Sequence, residues 1–430
     1  MISKLSPPKS VLKVARTLEK AGFETWCVGG AVRDALLGHP HLDWDLATAA
    51  RPQQIRNLFA RTVPVGIAFG TIGVLDDEGI MHEVTTFRRD VRTDGRHAEV
   101  EFGATLDEDL ARRDYTINAI AYSPAKKILA DPFKGQEDLE RGIVRAVGEP
   151  GERMREDRLR ALRGLRFAAR FEFEIERETW DAIVASSPHL GRLSAERVKQ
   201  EIEKTMDQVR KPSRAFSMWH TSGAFGTLIP ALSNMHVLDL ATLDHLCPTG
   251  LPTRPQRRVM RMIALFAAAP YGEVPGILKG LRFSNADAAW IGSIVAHWQA
   301  LQKEMRFAMT AESPPSDPVL RRWAAIAGRT RLASVLRVAS ARWTAERQAG
   351  LAAPGSERVA SVYRRALRIA YRDAIEVADL AVDGRDLEKV GITGPDVGKT
   401  LRWLLETVIN DPAANSRESL LDAARKRPQL

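Results

Sequence analysis

Between Trp26 and Thr48 a short apolar run leads into Gly29-Gly30, and a helical segment carrying Arg33 and Asp34 follows. Beyond Gly38, two carboxylates, Asp43 and Asp45, stand two residues apart. If that last piece is a strand, alternation puts both on one face, near enough to share divalent cations. The paired glycines let backbone approach a phosphate closely, and the helix start behind them favours negative charge. A third carboxylate, Glu83, lies in the strand-like His82-Glu83-Val84-Thr85-Thr86-Phe87. Such residues suit a triphosphate beside metal ions. Carboxylates completed by water favour magnesium over zinc, and two such ions can clamp the attacking and leaving oxygens of an in-line displacement.

Three further constellations follow. In Arg112-Arg113-Asp114-Tyr115-Thr116-Ile117-Asn118-Ala119, two arginines, an acid and an amide could bind phosphate and a sugar hydroxyl together, or Asp114 could cap a helix. In Arg155–Phe167, a continuous helix would align Asp157, Arg160 and Arg163 at i+3 along one face. A salt-bridged exposed helix would read the same way. In Leu193–Lys204, Ser194 is placed to cap a helix whose Arg197, Glu201 and Lys204 share a face.

The elements that must position these residues change character along the chain. Residues 1–145 alternate helical segments (Ser10–Ala21, Pro52–Leu58) with strands rich in Val, Ile and Thr, near Thr25–Val28, Gly70–Leu75 and Met81–Phe87. From Arg155 onward amphipathic helices follow one another. Breaks fall near Pro150-Gly151, Pro212, Pro248–Pro255, Pro270–Pro275 and Glu312–Pro318. At 430 residues the chain has room for two to four domains. Its net charge of +9 points to a polyanionic partner, with charge alone leaving RNA, DNA and an anionic membrane open. Two cysteines, Cys27 and Cys247, exclude a disulfide framework and read as buried thiols in a reducing compartment. With no apolar leader or long apolar stretch, a cytoplasmic protein without a membrane partner is expected.

The ordered series Gly-Gly-x-x-Arg-Asp-x-Leu-Leu-Gly-x-x-x-x-Asp-x-Asp resembles the nucleotidyltransferase signature of the DNA polymerase beta superfamily. Within it, the chain resembles the class II branch of bacterial CCA-adding tRNA nucleotidyltransferases and poly(A) polymerases, strongly over roughly the first 205 residues. The resemblance implies an α+β protein: a nucleotidyltransferase α/β head over 1–147, then an all-helical neck (148–210), body (211–310) and tRNA-binding tail (311–430). It also implies a magnesium-dependent enzyme adding C, C and A to tRNA from CTP and ATP. Asp43 and Asp45 become metal ligands, with Glu83 as third carboxylate.

By the same resemblance Gly29, Gly30 and Arg33 bind nucleotide. Arg113 and Asp114 contact phosphate and sugar, supported by Asn118. Asp157 and Arg160 match a Glu-Asp-x-x-Arg motif that reads the incoming base, with Arg163 and Arg166 holding base or triphosphate. Leu193–Lys204 braces that motif, and Asp131-Pro-Phe-x-Gly-x-x-Asp138 is mainly structural. The stretch Val63–Val74, glycine-rich and uncharged, resembles the CCA-adding form rather than the more basic poly(A) form. The segment Arg88–His97, with Asp94-Gly95-Arg96, resembles the family's flexible loop and favours full CCA addition. In the helical remainder, four arginines in Arg254–Arg261, the Arg364, Arg365, Arg368, Arg372 cluster and the tail motif Gly384–Gly398 offer an RNA surface. No histidine precedes an aspartate, so an appended His-Asp phosphohydrolase is not expected. A poly(A) polymerase, a partial CC- or A-adding enzyme, and a non-catalytic RNA-binding protein remain the alternatives, and monomer and dimer both stay open.

Overall fold

The structure is a computed structural model; it describes residues 5–39, 43–93, 98–246 and 254–427. Cys247 and Asp94-Gly95-Arg96 lie outside the described residues. The chain divides into two compact units, Met1–Arg210 with Arg214–Ser233, and Lys211–Ser213 with Asn234–Leu430.

The first unit is built on a seven-stranded sheet. Its strands are β1 (Thr25–Val28), β2 (Asp45–Thr48), β3 (Thr62–Gly66), β4 (Thr71–Leu75), β5 (Met81–Thr86), β8 (Ala121–Ser123) and β9 (Ile128–Ala130), in the order β3-β4-β5-β2-β1-β8-β9. All neighbours are antiparallel except β2 and β5, whose register aligns Leu46 with Val84. β6 (Arg88–Thr93) and β7 (Ala98–Phe102) pair as a separate ribbon, so the first part of the expected flexible loop is strand.

Period-two alternation separates the two faces. Leu46, Ile72, Val74 and Val84 are buried on one, against α1 (Lys9–Lys20) and α3 (Pro52–Leu58). In α1 the buried Val11, Val14, Ala15 and Leu18 follow the i, i+3, i+4, i+7 pattern of an amphipathic helix. On the opposite face Trp26, Val28 and Ala47 pack against Leu106 and Leu110 of α4 (Leu106–Ala111). A capping box starts α4: the Thr105 hydroxyl accepts from the Glu108 amide, and the Glu108 carboxylate accepts from the Thr105 amide at 2.7 Å.

The remaining helices of this unit include α2 (Gly30–Leu36), α5 (Gly135–Arg141), α6 (Pro150–Glu156), α7 (Leu159–Phe171), α8 (Arg177–Ser186) and α9 (Ala195–Gln208). A two-residue parallel pair, β10 (Ile143–Val144) and β11 (Glu174–Ile175), lies apart from the main sheet. The second unit is helical throughout its described residues. The 26-residue helix Asn285–Thr310 buries Ile291, Ile294, Val295, Trp298 and Leu301, and a small core of Leu380, Leu387, Leu404, Val408 and Leu420 holds the last helices together.

Two expectations need correction. β2 begins at Asp45, so Asp43 precedes the strand, although burial still alternates: Asp43 is exposed, Trp44 buried and Asp45 half-buried. The segment 155–167 is also not one helix. α6 stops at Glu156, and Asp157 is extended, with φ −146° and ψ 106°. Its carboxylate accepts from the Leu159 amide at 3.0 Å and so opens the next helix.

Candidate active site

A cavity of about 430 Å³ in the first unit gathers most of the residues singled out by sequence. Gly29, Gly30, Arg33, Asp45, Arg113, Asp114, Asn118, Asp157, Arg160, Arg163 and Arg166 all line it, joined by Arg112, Phe167, Arg170, Lys204 and Gln208. Asp43 and Glu83 are not among its lining residues.

Gly29 links β1 to α2 at φ +75° and ψ −135°, conformational space that a side chain rarely enters. A β-carbon there would also stand 3.0 Å from Arg113 Nη1. Glycine at this point keeps the Arg113 guanidinium next to the backbone and near Asp45. Asp109 of α4 fixes the two arginines after it: its carboxylate accepts from Arg112 Nε at 3.0 Å and from Arg113 Nη2 at 3.3 Å. Asp109 is almost wholly buried. Burial works to raise its pKa, but Arg112 and Arg113 bring it below the usual carboxylate range.

The next layer is an interlocked network. Asp114 Oδ1 accepts from the Tyr115 amide (2.9 Å) and Asn118 Nδ2 (2.8 Å), and Oδ2 accepts from Arg163 Nε (2.7 Å). Burial opposes the charge on Asp114, yet Arg163 and Asn118 outweigh it and hold its pKa at about 2. Asn118 also accepts from Arg33 through its carbonyl oxygen. Arg33 is buried, pairs with Asp34 at 2.7 Å, and has its pKa pulled to about 10 by burial, so it stays charged at neutral pH. Asp34 in turn accepts from Arg170 at 2.9 Å.

α7, beside Arg33 of α2, presents a run of cations to this network. Arg33, Arg163 and Arg166 lie 5.1, 5.2 and 4.4 Å from the Phe167 ring centre, and Arg170 lies 4.8 Å from that of Phe171. Guanidinium groups are weakly hydrated and stack on aromatic faces, which lets like charges crowd together. Gly164 allows α7 to approach the head: a β-carbon there would fall 2.2 Å from the Tyr115 hydroxyl. That hydroxyl donates to the Arg160 carbonyl at 2.6 Å.

Arg160 donates to Glu156 (2.9 Å) and to the carbonyls of Arg112 (2.8 Å) and Arg153 (3.4 Å), which leaves two of its five N–H donors. Asp157 pairs with Arg197 at 2.7 Å, and Arg166 with the buried Glu201 at 2.7 Å. The Ser194 hydroxyl caps α9, which carries both partners, so the segment Leu193–Lys204 does brace the Asp157–Arg166 stretch. In the Asp131 motif, Asp131 accepts from the Gly135 and Gln136 amides, and Asp138 accepts from the Thr116 hydroxyl at 2.7 Å. Those roles are structural.

The carboxylate edge differs from this wall. Asp45 and Glu83 stand on neighbouring strands, each one residue before the paired Leu46 and Val84. Burial raises the Asp45 pKa to about 7, and Asp43 and Glu83 push it the same way against the opposing Arg113. Among the described residues no three metal-ligating side chains are drawn into a ready-made cage. The donor set still fits a hard divalent cation, because magnesium typically takes one or two carboxylates and completes its shell with water and substrate phosphates.

Sequence reasoning passed over Asp109, Arg170 and Gln208, and gave Glu156 of the Glu-Asp-x-x-Arg motif no role of its own. Two were within reach of spacing, since Asp109 precedes Arg112 and Arg113 by three and four residues and Arg170 extends the Arg163–Arg166 series. Cys27 is buried, and burial pushes its thiol up to about 12, so it is inert.

A cationic cavity of about 430 Å³ lined by the strand carboxylate Asp45, on a mixed sheet followed by helices, defines a nucleotidyltransferase head. Residues 25–145 match the Poly A polymerase head domain, and residues 172–235 match the probable RNA and SrmB-binding site of polymerase A. The CCA-adding enzyme of Pediococcus pentosaceus is 34% identical over 425 residues, covering 96% of each chain. That of Anoxybacillus flavithermus is 46% identical over 200 residues, 46% of this chain and 50% of the relative. The crystal structure of the Bacillus stearothermophilus CCA-adding enzyme in complex with CTP superposes with a TM-score of 0.70 at 31% identity, covering 98% of each chain. The chain belongs to the CCA-adding enzymes.

Proposed function

We propose that this protein adds C, C and A stepwise to the 3′ end of tRNA from CTP and ATP without a nucleic-acid template. The observation that carries this reading is that a metal-side carboxylate, Asp45, and the base-side pair Asp157 and Arg160 line one cavity. Eight arginine and lysine side chains share it with three aspartates, so it suits a triphosphate. Asp43 and Asp45, with Glu83, would hold magnesium, which when bound neutralises the triphosphate and activates the attacking hydroxyl.

The chain's own residues do the rest. Arg113, Arg163 and Arg166, already locked by Asp109, Asp114 and Glu201, present phosphate ligands at little cost in side-chain ordering. Arg33 and Asn118 fix the glycine turn against the ribose side, where Asp114 retains lone pairs for a sugar hydroxyl. Asp157 accepts from the exocyclic amine that cytosine and adenine share, and the free N–H groups of Arg160 donate to the ring nitrogen beside it. Uracil and guanine present the opposite pattern there, at about 1–3 kcal/mol for each good pair. Uncharged Val63–Val74 favours this reading over poly(A) addition. We also propose the division into head, neck, body and tail at residues 147, 210 and 310.

The test uses tRNA transcripts ending at the discriminator base, at C or at CC, with CTP, ATP or both, and reads product length at single-nucleotide resolution. With CTP and ATP together, extension to CCA and no further, on all three, is expected. Long A tails, arrest at CC, or no extension in those reactions would each refute the reading.

A further inference from the structure

The open end of the sheet carries a feature that the cavity does not explain. Val63 and Val65 of the edge strand β3 are 39% and 43% exposed, and Met81 at the start of β5 is 42% exposed. Register places Val63 opposite Gly73 of β4, and Gly73 opposite Glu83 of β5. A β-carbon on Gly73 would meet the Met81 sulfur at 2.6 Å and a Val65 methyl at 3.0 Å, so the three side chains share one face. Glu83 is two residues from Met81 on the same strand, and alternation gives it that face too. The result is a part-exposed apolar patch in which Met81 and Val65 close over Gly73, on the face that carries Glu83. On the same face α4 packs in one core with residues of β1, β2 and β8.

Its position relative to the cavity decides what it holds. In the order β3-β4-β5-β2-β1-β8-β9, the carboxylates lie on β5 and β2, while the cationic cavity opens where Gly29 leaves β1 and Asn118 leads to β8. Nucleotidyl transfer places the attacking and leaving oxygens on opposite sides of the phosphorus. With the triphosphate on the β1–β8 side, the attacking hydroxyl would lie on the β5 side, and β4 and β3 are the strands next in order there.

We propose that Val63, Val65 and Met81, around Gly73, form the contact platform for the unpaired bases at the 3′ end of the acceptor RNA. This rests on the CCA-adding reading above. These side chains offer no hydrogen-bonding group beyond a weakly accepting thioether, so the platform grips any base face equally. That indifference is what a site needs when the terminal base of its acceptor changes after every addition.

The test combines kinetics and crosslinking on the full chain. Val65→Asp puts a negative charge where the RNA would lie, and Val65→Thr keeps the shape while making it polar. The KM for CC-ending tRNA should rise about tenfold or more in the first, which sets a negative charge against the RNA, and about two- to threefold in the second, which only exchanges a methyl for a hydroxyl. CTP affinity, measured by equilibrium binding without RNA, should not move, and this also verifies folding. Independently, tRNA ending in 4-thiouridine should photocrosslink to peptides containing residues 63–65 or 81, a readout that needs no turnover. An inactive wild type that still crosslinks there would sink the functional reading and keep the platform. Unchanged KM for tRNA in both variants, or crosslinks confined to other peptides, would overturn the platform. So would loss of a dimer in light scattering on Val65→Asp without any change in RNA affinity, since a second copy would then be the occupant.

Discussion

Asp114 and Asp45 line the same cavity, yet their surroundings drive them apart. On the cationic wall, Asp114 receives two backbone or amide hydrogens and the Arg163 guanidinium, and its pKa sits at about 2. On the carboxylate edge, the half-buried Asp45 stands beside two further acids with one opposing arginine, and its pKa rises to about 7. The wall is complete without substrate: each arginine already has a carboxylate or an aromatic face to fix it. The edge is incomplete, because its charges oppose one another until a cation arrives. On the proposed reading, preorganisation is thus built where phosphate would bind, and a deficit of positive charge where a metal ion would be recruited.

The sharpest way to break this contrast is Asp45→Asn, which keeps shape and removes charge. Transfer onto CC-ending tRNA should fall at least about a thousandfold, the several kcal/mol that metal-assisted charge stabilisation supplies. The melting temperature in chelator should hold or rise, since a repelled charge has gone. Magnesium should raise the melting temperature of the wild type and not that of the variant. Near-normal turnover would remove Asp45 from the chemistry.

On the wall the same kind of substitution should act on stability instead. Asp114 ionises more readily folded than unfolded, so it stabilises the fold above its ordinary value of 3.8, and that contribution fades as pH falls through about 2. Asp114→Asn should therefore cost about 2 kcal/mol near neutral pH. The gap to wild type, read from denaturant unfolding, should narrow by about 1 kcal/mol at about pH 3. Arg163→Ala, which strands a buried carboxylate, should cost about 3–5 kcal/mol. A pH-independent gap would mean that Asp114 is not held charged by Arg163.

What could be read in advance follows the same division. Strand Thr25–Val28 and helix Pro52–Leu58 match their expected ends, because glycine, proline and alternation punctuate them locally. The residues from Gly29 to Arg166 that line the cavity stand in ordered motifs, which is why sequence singled them out together. The break at Asp157 was not legible, since the helical periodicity runs on through it and only Arg197, forty residues away, and the Leu159 amide pull it out. β6 was missed because Arg88–Thr93 lacks apolar alternation and is held by its ladder to β7. Asp34 and Arg170 become partners across 136 residues, a distance no local pattern reports.

The smallest effect expected is also the most discriminating. Arg197 and Asp157 are each about a third exposed in their ion pair, so the pair itself is worth only about 0.2–1 kcal/mol. Asp157 keeps a second tether through the Leu159 amide when Arg197 is lost. Arg197→Ala should then leave stability nearly unchanged and reduce the preference for CTP over UTP by up to about fivefold, the same energy expressed as a ratio. Asp157→Ala, which removes the proposed base contact itself, should reduce that preference by about ten- to a hundredfold while CTP and UTP still bind through the arginine wall. Equal losses in the two variants would make Arg197 a base contact rather than a positioning residue. An unchanged preference in Asp157→Ala would move base selection away from the joint between α6 and α7 altogether.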